Sequence, residues 1–151
     1  MRIDHGFRAL AGCLALLGTS SANGQFDVRL IEDVLITQWD TCAFIHVRFG
    51  VPIKYTGHTP KHNQQQLHIE FETIATKPYD WETVFERRAI ELPAQQAIPL
   101  IELIYEKNFD GHRTLIFSFS RPMNLTTGQG KDLNRLAISI AEQNASPCPP
   151  P

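Results

Sequence analysis

The chain has 151 residues, 42% of them hydrophobic, and its 14 lysine and arginine residues against 16 aspartate and glutamate residues give a net charge of −2. This length suits a single domain with a real buried core. The basic residues are scattered along the chain, with Arg87-Arg88 as the only adjacent pair. A nucleic-acid partner, which needs clustered positive charge, is therefore not expected.

The N-terminus reads as a secretory signal peptide of residues 1–24. Arg2 and Arg8 precede an apolar run, residues 9–17, and a stretch of small residues follows, which is the order that a signal peptide requires. The run is shorter than the ~20 residues that a spanning helix needs. We therefore expect an exported, periplasmic chain that is not transmembrane after cleavage. Lipidation of Cys13 is an alternative, but the apolar run continues past the cysteine, and this favours a plain soluble product.

The chain then repeats itself at an offset of 70 residues. Arg29 to Thr56 aligns without a gap on Pro99 to Thr126, with the same or apolar residues at most core positions. A unit this short does not bury its apolar face alone. The sequence predicts an all-β sandwich over residues 25–142, built from two duplicated antiparallel units, about 29–71 and 99–140, that pack on each other.

Strict alternation of apolar and polar residues marks the strands of both copies. Such a period of two, in β-branched and aromatic residues, indicates strands with one face in a core and one in water. The predicted core consists of Ile45, Val47, Phe49, Leu67, Ile69, Phe71, Leu115, Phe117, Phe119, Leu136, Ile138 and Ile140.

Turn signals separate these strands. Pro52 and Pro122 stand at the same place in the two copies, three residues after Phe49 and Phe119, and mark a bend or an edge because proline cannot donate to a ladder. The Asp-Gly pair in residues 108–111 predicts a tight hairpin. Its counterpart, residues 38–41, lacks the glycine and is expected to turn less tightly.

The connector between the copies, residues 72–98, allows two interpretations. Asp80 can cap one short helix, or residues 87–92 can form an edge strand. In either case we expect Trp81 and Phe85 to close one end of the core.

The chain ends in a proline-rich tail or linker, residues 143–151, that cannot join a sheet. Cys42 and Cys148 are the only cysteines left after signal cleavage. The eight residues beyond Ile140 can reach ~26 Å, which is enough to return Cys148 to the other half of the domain. Export supplies an oxidising environment. We predict a Cys42–Cys148 disulfide, with pairing between two chains or with a further domain as the alternatives.

No catalytic signature is present, and we expect neither an enzyme nor a bound metal or other cofactor. His58 and His62 are four residues apart, but Gly57 and Pro60 make that stretch a loop rather than a helix that would aim both rings at one ion. The serines at 118 and 120 lie in ordinary strand alternation, without the glycine-flanked turn of a hydrolase nucleophile.

Two equivalent loops remain as candidate binding surfaces: residues 56–63 in the first copy and residues 126–132 in the second. Both are rich in hydroxyl and amide groups with a single lysine each, which suits hydrogen bonding to sugars or to peptide backbone. The expected ligand-binding residues are Tyr55, His58, Lys61, His62, Arg121 and Lys131.

The duplicated pattern resembles the AMIN domain, an all-β module found ahead of periplasmic cell-wall amidases, secretins and pilus-assembly proteins. The resemblance rests on Phe49-x-x-Pro-Ile-Lys-Tyr55 followed by residues 67–71, and on Phe119-x-x-Pro-Met-Asn-Leu125 followed by residues 136–140. It implies a non-enzymatic targeting or binding module of the cell envelope, directed at peptidoglycan or at an envelope protein. The alternatives are a structural spacer ahead of a repeat region, or a small secreted metal-binding protein or enzyme that uses the His58/His62 loop.

Overall fold

A computed structural model describes residues 30–60, 64–74, 85–94 and 98–150, and every regular element in these ranges is a β-strand. The all-β prediction is thus confirmed. None of the described residues belongs to a helix long and apolar enough to cross a bilayer. The strands are β1 (Ile31–Trp39), β2 (Cys42–Phe49), β3 (Ile53–Thr59), β4 (Gln64–Thr73), β5 (Glu86–Ala89), β6 (Leu100–Lys107), β7 (Arg113–Gln129) and β8 (Arg135–Glu142).

All eight strands belong to one antiparallel sheet, although the sequence suggested two. The order is β1-β2-β8-β7-β4-β3, with β6 also paired to β7 and β5 paired to β6. The strand that connects the two ends of the sheet is β7, which has 17 residues and pairs with three other strands. Its first part pairs with β4 and β6, and its last part pairs with β8. Pro122 lies between these two parts, where its missing N–H costs no ladder bond.

Corresponding residues of the two sequence copies make corresponding pairs. Tyr55 stands opposite Phe71 in the β3–β4 ladder, and Leu125 stands opposite Ile140 in the β7–β8 ladder. The sandwich form and the internal duplication themselves stay predictions.

The twelve residues predicted for the core are all buried, none more than 3% exposed. They form one cluster to which both halves of the chain contribute. Phe49 on β2 packs against Phe71 on β4, with ring centroids 5.0 Å apart. Burial of each such large side chain contributes roughly 1.5–3 kcal/mol to folding relative to leaving it exposed.

Of the two hairpins, one agrees with the prediction and the other does not. Gly111 has a φ of +87° between β6 and β7, as the Asp-Gly signal predicts, and Gly111 N–H donates to Asn108 O at 2.9 Å. The turn between β1 and β2 was expected to be looser, and this is wrong. Trp39 pairs directly with Cys42, so only two residues make the turn. Asp40 takes a φ of +55°, a left-handed conformation that aspartate tolerates better than most residues.

The described part of the connector supports the edge-strand interpretation, because residues 86–89 form β5, which pairs with the outer side of β6. The predicted helix start at Asp80 and the side chain of Trp81 lie outside the described residues. Phe85 was expected to close the core, and this is wrong: its side chain is 42% exposed. Phe85 instead lies beside Phe109, another exposed ring, with centroids 5.8 Å apart and ring planes tilted by 32°.

The predicted Cys42–Cys148 disulfide is present, with Cα atoms 5.7 Å apart. It joins the first residue of β2 to the tail that follows β8. Cys42 already pairs with Ala141 near the end of β8. The bridge therefore holds the proline-rich tail against the edge from which it emerges. The predicted signal peptide, residues 1–24, lies outside the described residues.

Candidate functional site

Three side chains from β3 and β7 meet in a partly buried cluster of two hydroxyls and an imidazole. Thr127 Oγ1 lies 2.9 Å from His58 Nδ1 and 3.1 Å from Tyr55 Oη. The Tyr55 hydroxyl also forms a hydrogen bond with His58 Nδ1. We call Tyr55, His58 and Thr127 the hydroxyl–imidazole cluster. Two of its three members, Tyr55 and His58, were predicted as ligand-binding residues.

A β-bulge explains why Tyr55 and His58 can touch. Residues three apart on a regular strand point to opposite faces of the sheet. The register of β3 against β4 shifts between Tyr55 and Gly57, and the extra residue changes the alternation at this point. Gly57 has nothing within 4 Å of where a Cβ would lie, so the surface above the bulge is open. The two side chains therefore share one face.

Thr127 enters the cluster because the outer edge of β3 lies against the last part of β7. The side chain of Gln129 bonds to this edge: its Oε1 accepts from Tyr55 N–H at 3.0 Å and its Nε2 donates to Ile53 O. Thr127 lies two residues before Gln129 and on the same face of β7. The Gln129 contact thus holds β3 and β7 at the distance at which Thr127 can form its hydrogen bond with His58.

Among the described residues, the hydrogen bonds of His58 all go to Nδ1, and the second ring nitrogen, Nε2, is open to a ligand. Nδ1 faces two hydroxyls. When the Tyr55 hydroxyl donates to Nδ1, the neutral imidazole carries its proton on Nε2, which becomes a donor in a fixed direction. The rings of Tyr55 and His58 also stack, with centroids 6.1 Å apart and planes 30° from parallel. The site thus combines an aromatic surface with uncharged polar groups.

The other predicted ligand-binding residues lie elsewhere. Arg121 forms an ion pair with Glu142 at 2.5 Å, and both side chains are exposed. It precedes Thr127 on the same strand by six residues, or about 20 Å. Lys131 is exposed in the turn after β7. Lys61 and His62 lie outside the described residues.

The first half of each expected binding loop is strand. β3 continues to Thr59 and β7 to Gln129, so residues 56–59 and 126–129 of the hydroxyl-rich segments belong to strands and not to loops. This corrects the prediction of loops. The side chains are presented by a backbone that ladder hydrogen bonds hold in place, which suits a rigid binding surface. Thr127 and Gln129 were not singled out as site residues. The only sequence signal for them was the polar composition of residues 126–132.

The remaining histidines do not extend the site. Among the residues that the structure describes, no group of three or more histidine, cysteine, aspartate or glutamate side chains is close enough to hold a metal ion. His46 stacks beside Phe44 on β2, with ring centroids 6.5 Å apart. Burial lowers the pKa of His46 below its usual value, and the positive charge of Arg135 lowers it further.

A scan against protein-family models, a search of curated proteins and a search of solved structures found no match to this chain.

Proposed function

We propose that this protein is an exported, non-enzymatic module that binds the glycan strands of peptidoglycan through the hydroxyl–imidazole cluster. The observation that carries the proposal is the meeting of Tyr55, His58 and Thr127 on one face. His58 and Thr127 come from the two segments that the sequence marked as equivalent, and Tyr55 directly precedes the first of them.

The chemistry of the cluster suits a sugar better than a charged ligand. Hydroxyl and imidazole groups exchange hydrogen bonds with sugar hydroxyls and acetamido groups without the cost of desolvating an ion. The stacked rings of Tyr55 and His58 offer an apolar surface for the C–H face of a pyranose. Specific ligand sites commonly combine such apolar walls with a few fixed polar groups.

Three further features support an envelope location. The Cys42–Cys148 disulfide is consistent with an oxidising compartment, since such bonds persist mainly in exported proteins. The signal-like N-terminus and the resemblance to the AMIN domain point to the same compartment. Assignment to that family is part of the proposal.

Co-sedimentation with purified insoluble peptidoglycan tests the proposal. The wild-type protein is expected to pellet with the polymer at low salt. The Tyr55→Phe variant keeps the ring and removes only the hydroxyl, and the His58→Ala variant removes the imidazole. Loss of one hydrogen bond to the ligand should weaken binding roughly fivefold.

The matched control is His112→Ala, which removes an exposed histidine from the turn between β6 and β7 and should bind as the wild type does. Thermal unfolding of each variant shows that reduced pelleting does not reflect lost structure. A wild-type protein that stays wholly in the supernatant at low salt contradicts the peptidoglycan proposal.

Salt dependence tests the contribution of the lysines. Removing Lys61 and Lys131 together should weaken pelleting at low salt, and raised salt should weaken the wild type in the same way, because exposed charges are screened. Binding that is unchanged by salt and by the double substitution would limit the site to the uncharged cluster.

A further inference from the structure

One edge of the sheet is unprotected among the described residues. β1 pairs with β2 on one side only, and no described strand covers its other side. β1 has nine residues. Long exposed edges present unpaired N–H and C=O groups to any extended chain, and soluble proteins usually block them.

The other outer strands carry such protection. The outer edge of β3 is bonded by the side chain of Gln129. β5 has only four residues, and three of them, Glu86, Arg87 and Arg88, are charged. By contrast, residues 34–39 on β1 read Val-Leu-Ile-Thr-Gln-Trp, with no charge, proline or glycine. This is the composition that favours pairing with another strand.

Two large apolar side chains are exposed on this strand. Leu35 is 53% exposed and Trp39 is 73% exposed. Both lie on the outward face, and they stand at equal distances before and after Thr37. A two-fold axis through Thr37 would therefore place each of them opposite the other residue of a second copy.

We propose that β1 pairs antiparallel with β1 of a second copy of this chain, with the two-fold axis at Thr37. Leu35 then packs across from Trp39 of the second copy, and the two Thr37 residues face each other. Aromatic–aliphatic and Thr–Thr pairs of this kind are favourable on neighbouring antiparallel strands. Residues 35–39 carry no charge, so no like charges meet within the ladder.

The N-terminal part of β1 limits the length of this ladder. Residues 31–34 face residues 88–94 across a cleft of about 730 Å³, so a second chain reaches only the later part of the edge. A five-residue ladder is short, and the dimer is therefore a weak one of the transient class.

Sedimentation velocity over protein concentrations from about 10 µM to about 1 mM tests the proposal. The wild type should shift from monomer to dimer over this series. Leu35→Lys places a charge on the edge and should raise the dimer dissociation constant at least about tenfold. Ile101→Lys is the matched control, because Ile101 is also an exposed aliphatic residue but lies on β6, a strand that does not pair with β1, and this variant should dimerise as the wild type does.

Cysteine cross-linking tests the register. Thr37→Cys should give a reducible dimer under mild oxidation, in clear excess over Thr126→Cys, which introduces a thiol at an exposed threonine on β7. The wild-type chain supplies the background. A wild type that stays monomeric throughout the series, including one whose β1 edge pairs with another part of its own chain, overturns the proposal. Equal dissociation constants for Leu35→Lys and the wild type, or equal cross-linking at Thr37 and Thr126, overturn it as well.

Discussion

The side-chain amide of Gln129 takes the place of a neighbouring strand for the backbone of Tyr55. Its Oε1 accepts from Tyr55 N–H at 3.0 Å, and its Nε2 donates to the carbonyl oxygen of Ile53. The N–H of Tyr55 and the C=O of Ile53 point to the same side of β3, away from β4, because the direction of the backbone groups alternates along a strand and these residues are two apart. One side chain thus satisfies a donor and an acceptor on an open edge and ties β3 to β7.

Replacing Gln129 should loosen this edge. The Gln129→Leu variant leaves Tyr55 N–H and Ile53 O without this partner, and we expect a loss of roughly 1–3 kcal/mol in the free energy of unfolding. Denaturant unfolding measures it. Gln143→Leu, at an exposed position after β8, is the control and should change stability by less than about 0.5 kcal/mol. Equal effects of the two substitutions would mean that the Gln129 bonds contribute nothing to the fold.

Phe117 tests the predicted strand register. Its side chain is fully buried in the first part of β7, between β4 and β6. Phe117→Ala should lower the free energy of unfolding by roughly 3–5 kcal/mol, from lost burial and the cavity that remains. Phe109→Ala removes a ring that is 71% exposed and should cost under about 1 kcal/mol. A loss under about 1 kcal/mol at Phe117 would place that residue outside the core.

The disulfide closes a loop between residues 106 positions apart. The chain-entropy estimate for a loop of about this size is ~4.7 kcal/mol as an upper figure, and typical bridges contribute roughly 2–4 kcal/mol. The Cys42→Ala/Cys148→Ala double variant should lose stability in this range, and a reductant should bring the wild type down to the same level. Two reactive thiols at these positions in the oxidised monomer, or a disulfide-linked dimer through them, would rule out the intramolecular bridge.

His46 should make stability depend on pH near neutrality. Its folded-state pKa is lowered by burial and then by Arg135 from the ordinary value of 6.5. As pH falls below about 6.5, the unfolded chain binds the proton more readily than the folded one. The free energy of unfolding, which is at its full value above this pH, therefore decreases as the solution becomes more acidic. The decrease from about pH 7.5 to about pH 5.5 should be smaller in His46→Gln, which cannot titrate.

Titration of the His46 ring signals by nuclear magnetic resonance measures the same effect directly. The midpoint should lie below 6.5 in the wild type and rise in Arg135→Gln, which removes the neighbouring positive charge. A wild-type midpoint at or above 6.5 would contradict the prediction.

The sequence by itself determined the strand class, the twelve core residues and the pairing of Cys42 with Cys148. Alternation at a period of two is a local property of the backbone, and a slip of one residue would expose an entire apolar face. Only one register was therefore compatible with burial. The Cys42–Cys148 pair was predictable as one of the pairing alternatives, because the eight residues beyond Ile140 can reach far enough to return Cys148 to the other half of the domain.

The tertiary structure alone decided where the polar residues meet. Alternation places Tyr55 and His58 on opposite faces, and only the bulge between Tyr55 and Gly57 brings them together. Thr127 joins them because two strand segments about 70 residues apart along the chain lie edge to edge. The position of Phe85, which contacts Phe109 and not the core, was also decided by the tertiary structure. Bulges and edge contacts depend on the twist and packing of the whole sheet, and a local pattern does not encode them.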